Sequence, residues 1–203
     1  NVTNTGAMFN SAINFNQQLP NWNVSNVTTM HSMFDNANSF DGDVSSWDVS
    51  SVENMMFMFA GCESFNQDLS MWDISNVTEI TGMFENASSF NQDISNWNVS
   101  NVIDMNWLFA YSDFNQDISN WDVSNVLGLW GTFYDASSFN QDISNWDILN
   151  ATIMELMFDG QNSLSDENQC AIHAAFQANN NWLYSWCVQD CAGVWGGDSV
   201  LSG

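Results

Sequence analysis

Apolar residues return at fixed places along this chain. In the first full copy they are Phe15, Leu19, Trp22, Val24, Val27, Met30, Met33 and Phe34, followed by small Ala37. A Phe column falls at 15, 40, 65, 90, 114 and 139, and a Trp column at 22, 47, 72, 97, 121 and 146. A second Phe column falls at 34, 59, 84, 109, 133 and 158, with Phe9 as an earlier copy. The step is 25 residues, with a single deletion near Tyr111. A fixed period in the twenties is the signature of a solenoid, because no single coil can hide its own apolar face and neighbouring coils must share it.

Within one period the pattern changes character. The stretch D-[ILV]-S-x-W-[DN]-[VI]-S alternates, which predicts a short strand. The stretch V-x-x-M-x-x-M-F has a spacing near three, which predicts a helical or 3₁₀ turn. The expected fold is a repeat solenoid, a leucine-rich-repeat-like stack of short parallel strands and such turns, capped by a C-terminal helix. Ser165-Asp166-Glu167 reads as the start of that helix, with Ala171, Ile172, Ala174, Ala175 and Phe176 as its apolar face and Asn179-Asn180-Asn181 as its end. The organisation read from these signals is 1–158 repeat, 159–188 cap and 189–203 the start of a Cys/Gly-rich module. The first residues align with the middle of a repeat, so the sequence reads as an excerpt of a longer protein.

Charge narrows the function. The chain has no Lys or Arg and 24 acidic residues. Nucleic-acid binding is excluded as a reading, since neutralising phosphates needs cationic side chains. Hydrophobic residues make up 45% of the chain, which argues against the disorder that high charge alone would suggest. No apolar run reaches the ~18 residues of a membrane span.

Two polar columns invite explanation. Asn26, Ser51, Asn76, Asn101, Asn125 and Asn150 sit between apolar positions. A buried ladder bonding backbone at the bend is the reading preferred here, and a surface column is its rival. Asp43, Asp68, Asp93, Asp117 and Asp142 form the other column. Stacked carboxylates repel. They either accept bonds from turn N–H groups or are bridged by hard cations as a calcium ladder. Calcium is thus the one cofactor the sequence leaves open.

FNQDISNWDVSNV followed by M-x-x-M-F resembles the BspA-like leucine-rich-repeat surface proteins over 1–158. LSDENQCAIHAAFQANNNWLYSW (164–186) looks like the C-terminal cap of secreted marine members. DCAGVWGGDSVLSG (190–203) resembles the start of their Cys/Gly/Asp-rich modules. The resemblance implies a cell-surface or secreted protein acting in adhesion, with no catalytic residue to carry over. In an exported chain Cys170 with Cys187 is the expected disulfide, Cys170 with Cys191 the alternative, and Cys62 a buried free thiol. His173, three residues after Cys170, is too isolated for a zinc site, and His31 reads as a surface residue. Seven N-x-S/T sequons occur, of which Asn23, Asn86 and Asn98 are the expected acceptors for glycosylation.

Function in a repeat protein is sought where copies disagree. Met56, Phe57, Ile103, Trp107, Leu127 and Trp130 are large and apolar in columns that are polar or small elsewhere. They read either as a partner-binding surface or as filling under a loop. The leading function is a non-enzymatic extracellular structural or adhesion module that binds a protein partner or itself, the latter as a filament or surface layer. A carbohydrate-binding module using Trp107, Trp130 and the Trp182, Trp186 and Trp195 of the cap is the second reading. A two-carboxylate glycosidase is the third.

Overall fold

The computed structural model describes residues 2–160 and 163–186. Successive 25-residue copies lie one on another, with coil-to-coil hydrogen bonds all along the repeat. Phe34, Phe59, Phe84, Phe109, Phe133 and Phe158 stack in a column at centroid spacings of 5.4 to 5.9 Å. All of these rings but Phe158 also lie against the leading Phe of the next copy, as Phe84 does on Phe90 at 4.0 Å. The Trp column stacks alongside, Trp121 on Trp146 at 6.3 Å.

The expected stack of short parallel strands is not what the chain forms. Among the described residues there is no β-strand and no sheet, and parallel pairing shrinks to one isolated bridge between neighbouring coils, such as Asn54 with Glu79. The bridges do not lie in the alternating W-[DN]-[VI]-S stretch either. They fall beside the first Met, in the segment read as a helical turn, while the alternating stretch is a series of turns.

The hydrogen bonds give the reason. The N–H groups of Met30, Ser32, Phe34 and Asn36 donate to carbonyls of the next coil, at Asn54, Met56, Met58 and Ala60. The intervening N–H groups of Met33, Asp35 and Ala37 turn back to carbonyls three residues earlier, at Met30, Ser32 and Phe34. In a parallel strand those intervening peptides would bond to a neighbouring strand. Here they close local turns, so a ladder cannot extend beyond a single bridge. The turns bring two left-handed residues into each copy, Ser32 and Asn36 in one and Phe57 and Gly61 in the next, with φ between 52° and 66°. Left-handed residues also forbid the 3₁₀ run that the spacing of three suggested.

Side chains supply the remaining coil-to-coil bonds. Trp47, Trp72, Trp97, Trp121 and Trp146 are buried, and each indole Nε1–H donates to a carbonyl of the preceding coil, Trp97 to Leu69 at 3.0 Å. The FNQ motif forms a second ladder: Asn66 Oδ1 accepts from the Asn91 N–H at 3.1 Å, and the Gln92 amide donates to Asn66 at 3.0 Å. The deletion near Tyr111 is absorbed by Ser112. It occupies the small-residue position of its copy, fully buried, and its hydroxyl takes the Phe114 N–H that a backbone carbonyl takes elsewhere.

One helix follows, α1 (Asp166–Phe176), with Ser165 as the N-cap accepting from the Asn168 N–H. Only Ile172 and Phe176 of its expected apolar face are buried. The cap imitates a further coil. Ser165 N–H and the Asn168 amide both bond Asn140 Oδ1, as Asn91 and Gln92 bond Asn66. Asn179, expected only to end the helix, is buried and donates to the carbonyls of Ile148 and Ala151 at 2.6 and 2.9 Å. Tyr184 OH accepts the Phe158 N–H, a group that in earlier coils donates to the following coil. No helix among the described residues is long and apolar enough to cross a membrane.

Trp97→Phe removes the indole donor from the Leu69 carbonyl, which keeps the Trp72 N–H, and leaves space where the larger ring packed, so it should lower the unfolding free energy by about 1–2 kcal/mol. Trp22 is 37% exposed and has no such acceptor among the described residues. Trp22→Phe should therefore change stability by less than about 0.5 kcal/mol. Urea unfolding followed by circular dichroism checks the pair, and equal losses would refute the role given to the indole bond.

Candidate functional site

The column in which copies differ most is the left-handed one: Ala7, Ser32, Phe57, Gly82, Trp107, Gly131 and Leu156. Large and absent side chains alternate along it. A Cβ on Gly82 would lie 2.3 Å from the Phe57 ring, and one on Gly131 would lie 3.0 Å from the Trp107 ring. Each aromatic therefore leans over the glycine of the following coil.

Trp107 is the centre of a cluster. Trp130 meets it edge-on at 4.9 Å and Tyr134 at 5.5 Å, while Tyr111 lies parallel to it at 6.4 Å. Tyr111 and Tyr134 meet edge-on at 5.3 Å. Trp130 is 40% exposed and Tyr111 is 44% exposed. The patch is fixed from below: Asn106 Oδ1 accepts the Trp130 N–H at 2.6 Å, and the Asn106 amide is itself held by Asp104.

Of the six residues expected to bind a partner, the structure joins Trp107 with Trp130. It sets Ile103 and Leu127 in neighbouring coils, both exposed, with the Leu127 N–H on the Ile103 carbonyl. Met56 and Phe57 are half-buried two coils earlier, where Phe57 packs over Gly82. The patch thus has both properties weighed in the sequence, an exposed aromatic face and side chains that fill space. Tyr111 and Tyr134 were missed. Their columns hold Asn86 and Asp135, or Asp35 and Glu85, in other copies, and that switch from polar to aromatic was the available signal.

Beside the patch, Asp35, Phe57, Ala60, Glu85 and Asn86 line a recess. Asp35 and Glu85 occupy one column two coils apart, with small Ala60 between. Burial pushes both carboxyls above their ordinary values, against bonds from Asn10, Ser32 and Asn36 at Asp35 and with the Asp35 charge adding to burial at Glu85. Desolvation raises the Tyr111 hydroxyl too, followed by the charges of Tyr134, Asp135 and Glu85.

The Asp column is built into turns. Asp43, Asp68, Asp93, Asp117 and Asp142 each accept the N–H of the Ser two residues on, at 2.8 to 3.0 Å. Bonds from those serines hold the carboxyls of Asp43, Asp68, Asp93 and Asp117 below their ordinary value. Among the described residues no three His, Cys, Asp or Glu side chains converge as a metal site requires.

The Asn26 column is not buried. Asn26, Asn76, Asn101, Asn125 and Asn150 are exposed and Ser51 is half-buried. Its rungs still bond backbone: the amides of Asn76, Asn101, Asn125 and Asn150 donate to a carbonyl of the preceding coil at 2.7 to 2.8 Å. An amide can reach that carbonyl from the rim of the coil, so burial is unnecessary. Asn23, Asn86 and Asn98 are all exposed, and the carbonyl oxygens of Asn23 and Asn98 accept from their own sequon serines, Ser25 and Ser100.

Cys62 is a free, buried thiol that bonds the Phe34 carbonyl, and burial pushes it far above its ordinary value. Cys170 is disulfide-bonded, while Cys187 and Cys191 lie outside the described residues, as does Trp195. His31 is exposed, and His173 accepts the Trp182 indole N–H at 3.0 Å. Trp182 and Trp186, offered as sugar platforms, are half-buried against Phe158 in the cap.

The two classes of carboxyl predict a biphasic pH profile. Asp43, Asp68, Asp93 and Asp117, with Asp73 and Asp122 in a second turn, are lowered and so stabilise the fold above the ordinary Asp value. That contribution disappears as pH falls through their depressed values. Asp35, Glu79 and Glu85 are raised, so their ionised forms weaken the fold and protonation relieves it. The melting temperature should rise as pH falls from neutral toward the ordinary values, 4.5 for Glu and 3.8 for Asp, and drop below them. Glu85→Gln should flatten the rise. A steady decline from neutral pH would contradict this assignment.

A family model described as Mycoplasma protein of unknown function, DUF285, matches residues 1–93 and again 68–171. No curated protein and no solved structure matches the chain. The matched residues hold the repeats that carry the BspA-like resemblance, together with most of α1. The chain belongs to that DUF285 family, a placement consistent with a BspA-like repeat protein.

Proposed function

We propose that the chain is a non-enzymatic structural and adhesion module of an extracellular or cell-surface protein. It holds a protein partner through the face around Trp107. The observation that carries this reading is the gathering of Trp107, Tyr111, Trp130 and Tyr134 ring against ring, with Tyr111 and Trp130 exposed and Trp107 and Tyr134 half-buried. Clustered exposed aromatics mark interaction sites, whereas single exposed apolar side chains need no explanation. Aromatic rings are also the side chains that most often dominate interface energy.

Lateral contact fits better than the end-on stacking of a filament. At the C-terminal end of the stack, Asn168, Asn179 and Tyr184 already take bonds that a following coil would take. Resemblance to BspA-like surface proteins supports the location, and with it go a proposed Cys170–Cys187 disulfide and proposed glycans on the exposed Asn23, Asn86 and Asn98. The Asp column satisfies itself through turns, and calcium is not required to hold it.

A carbohydrate-binding module is the second reading. Flat rings of Trp107 and Trp130 suit apolar sugar faces, and the exposed Trp130 ring favours it. Binding of the full chain to a panel of purified extracellular-matrix proteins and to a glycan array separates the two. The expected result is binding to a matrix protein that Trp130→Ala weakens about tenfold, as for an interface anchor. Glycan binding lost in the same variant would install the second reading. Binding unchanged by Trp130→Ala and by Tyr111→Ala would remove the patch from either role.

A further inference from the structure

We infer that the aromatic face takes an arginine-rich segment of the partner, with guanidinium groups over Trp107, Trp130, Tyr111 and Tyr134 and the carboxylates of Glu85 and Asp135 alongside. This inference rests on the adhesion reading and names the chemistry of the partner.

Charge complementarity carries it. The chain has no Lys or Arg against 24 acidic residues, so apart from two histidines it brings no cationic side chain to its own surface. A second copy brings the same charge and is repelled. A cationic segment is attracted over the whole surface and steered toward its acidic recesses. Steering alone does not choose among polycations, but the rings do. A guanidinium is planar, weakly hydrated and stacks on aromatic faces, whereas an ammonium is compact and strongly hydrated.

The two requirements meet in one place. The Asn86 N–H donates to the Ala110 carbonyl and the Tyr111 N–H to the Tyr134 carbonyl, each at 2.8 Å, so Glu85–Asn86, Ala110–Tyr111 and Tyr134–Asp135 lie side by side on successive coils. Glu85 also lines the recess with Asp35 and Phe57, on the coil that precedes Trp107 and Tyr111. Neither patch tyrosine stands apart from this pattern: Tyr134 takes the column of Asp35 and Glu85, and Tyr111 that of Asn86 and Asp135. Glu85 is half-buried, and burial raises its carboxyl. A guanidinium laid beside it would replace the lost hydration with a charge-assisted bond. A neutral sugar offers the rings an equal contact but leaves that carboxylate desolvated and unpaired with a cation.

The test compares nona-arginine with nona-lysine peptides, titrated into the full chain at about 0.15 M and again at about 0.5 M salt, where long-range attraction is screened. Nona-arginine should bind about tenfold more tightly than nona-lysine at the higher salt. Trp130→Ala and Tyr111→Ala, both at exposed positions, should each cut that preference several-fold. Glu85→Gln should weaken both peptides. Thermal unfolding of each variant shows that the fold persists. Equal binding of the two peptides at the higher salt, or a preference that neither aromatic variant reduces, would overturn the inference. If Trp130→Ala abolishes matrix-protein binding while the peptides bind equally, the adhesion reading stands and the cationic partner alone fails.

Discussion

Every second peptide in the segment from Ser32 to Ala37, and in its copies, donates to the next coil, and the peptides between them close local turns. This division is the constraint on which the rest depends. It satisfies the backbone without a strand or helix, meeting the requirement that buried N–H and C=O groups be paired. It also points the donors of Met30, Ser32, Phe34 and Asn36 the same way along the stack. Each coil therefore needs a follower, and the last described coil receives one in altered form: the hydroxyl of Tyr184 for a donor, the amide of Asn179 for two carbonyls.

The aromatic columns follow from the same constraint. A ring can stack on its counterpart only if the coil between them has a fixed length, and turn bonds fix it. Where one residue is missing, the Ser112 side chain replaces a carbonyl, and Phe109 and Phe114 stay 4.0 Å apart as in the intact copies. The indole bond makes Trp more than a large apolar side chain. Each acceptor carbonyl already takes a backbone N–H of its own coil, and the indole adds a second bond from the next coil, which Phe in its place would forfeit together with part of the packing.

Period, core columns and the N-cap of α1 were legible because they depend on apolar spacing and on one local capping signal. The backbone path was not. Alternation in W-[DN]-[VI]-S is also produced by consecutive turns that bury every second residue, and periodicity does not separate that from a strand. Left-handed positions leave a clear trace only where they are Gly82 and Gly131; Phe57, Trp107 and Leu156 in the same column hide it. The Asn26 column misled because backbone bonding was equated with burial, and rim amides bond backbone while facing water. Half of the aromatic patch was legible as outsized residues in a variable column. Tyr111 and Tyr134 were not, since their columns become meaningful only once coils are superposed.

A chain without a basic side chain other than histidine has few means to offset its own repulsion. It keeps most carboxylates at the rim, where water and salt screen them, and ties one column to serines through turns. The exceptions are Asp35 and Glu85, drawn into a recess over Ala60 where burial disfavours their charge. Asp35 is offset by amides from Asn10 and Asn36. Glu85 feels only burial and a like charge, and nothing in the packing of the core requires an acid at its position, since Ala60 and Ala110 fill it in the flanking coils. A half-buried acid that the fold does not need, set beside exposed rings that the fold does not need, is accounted for by something that binds both.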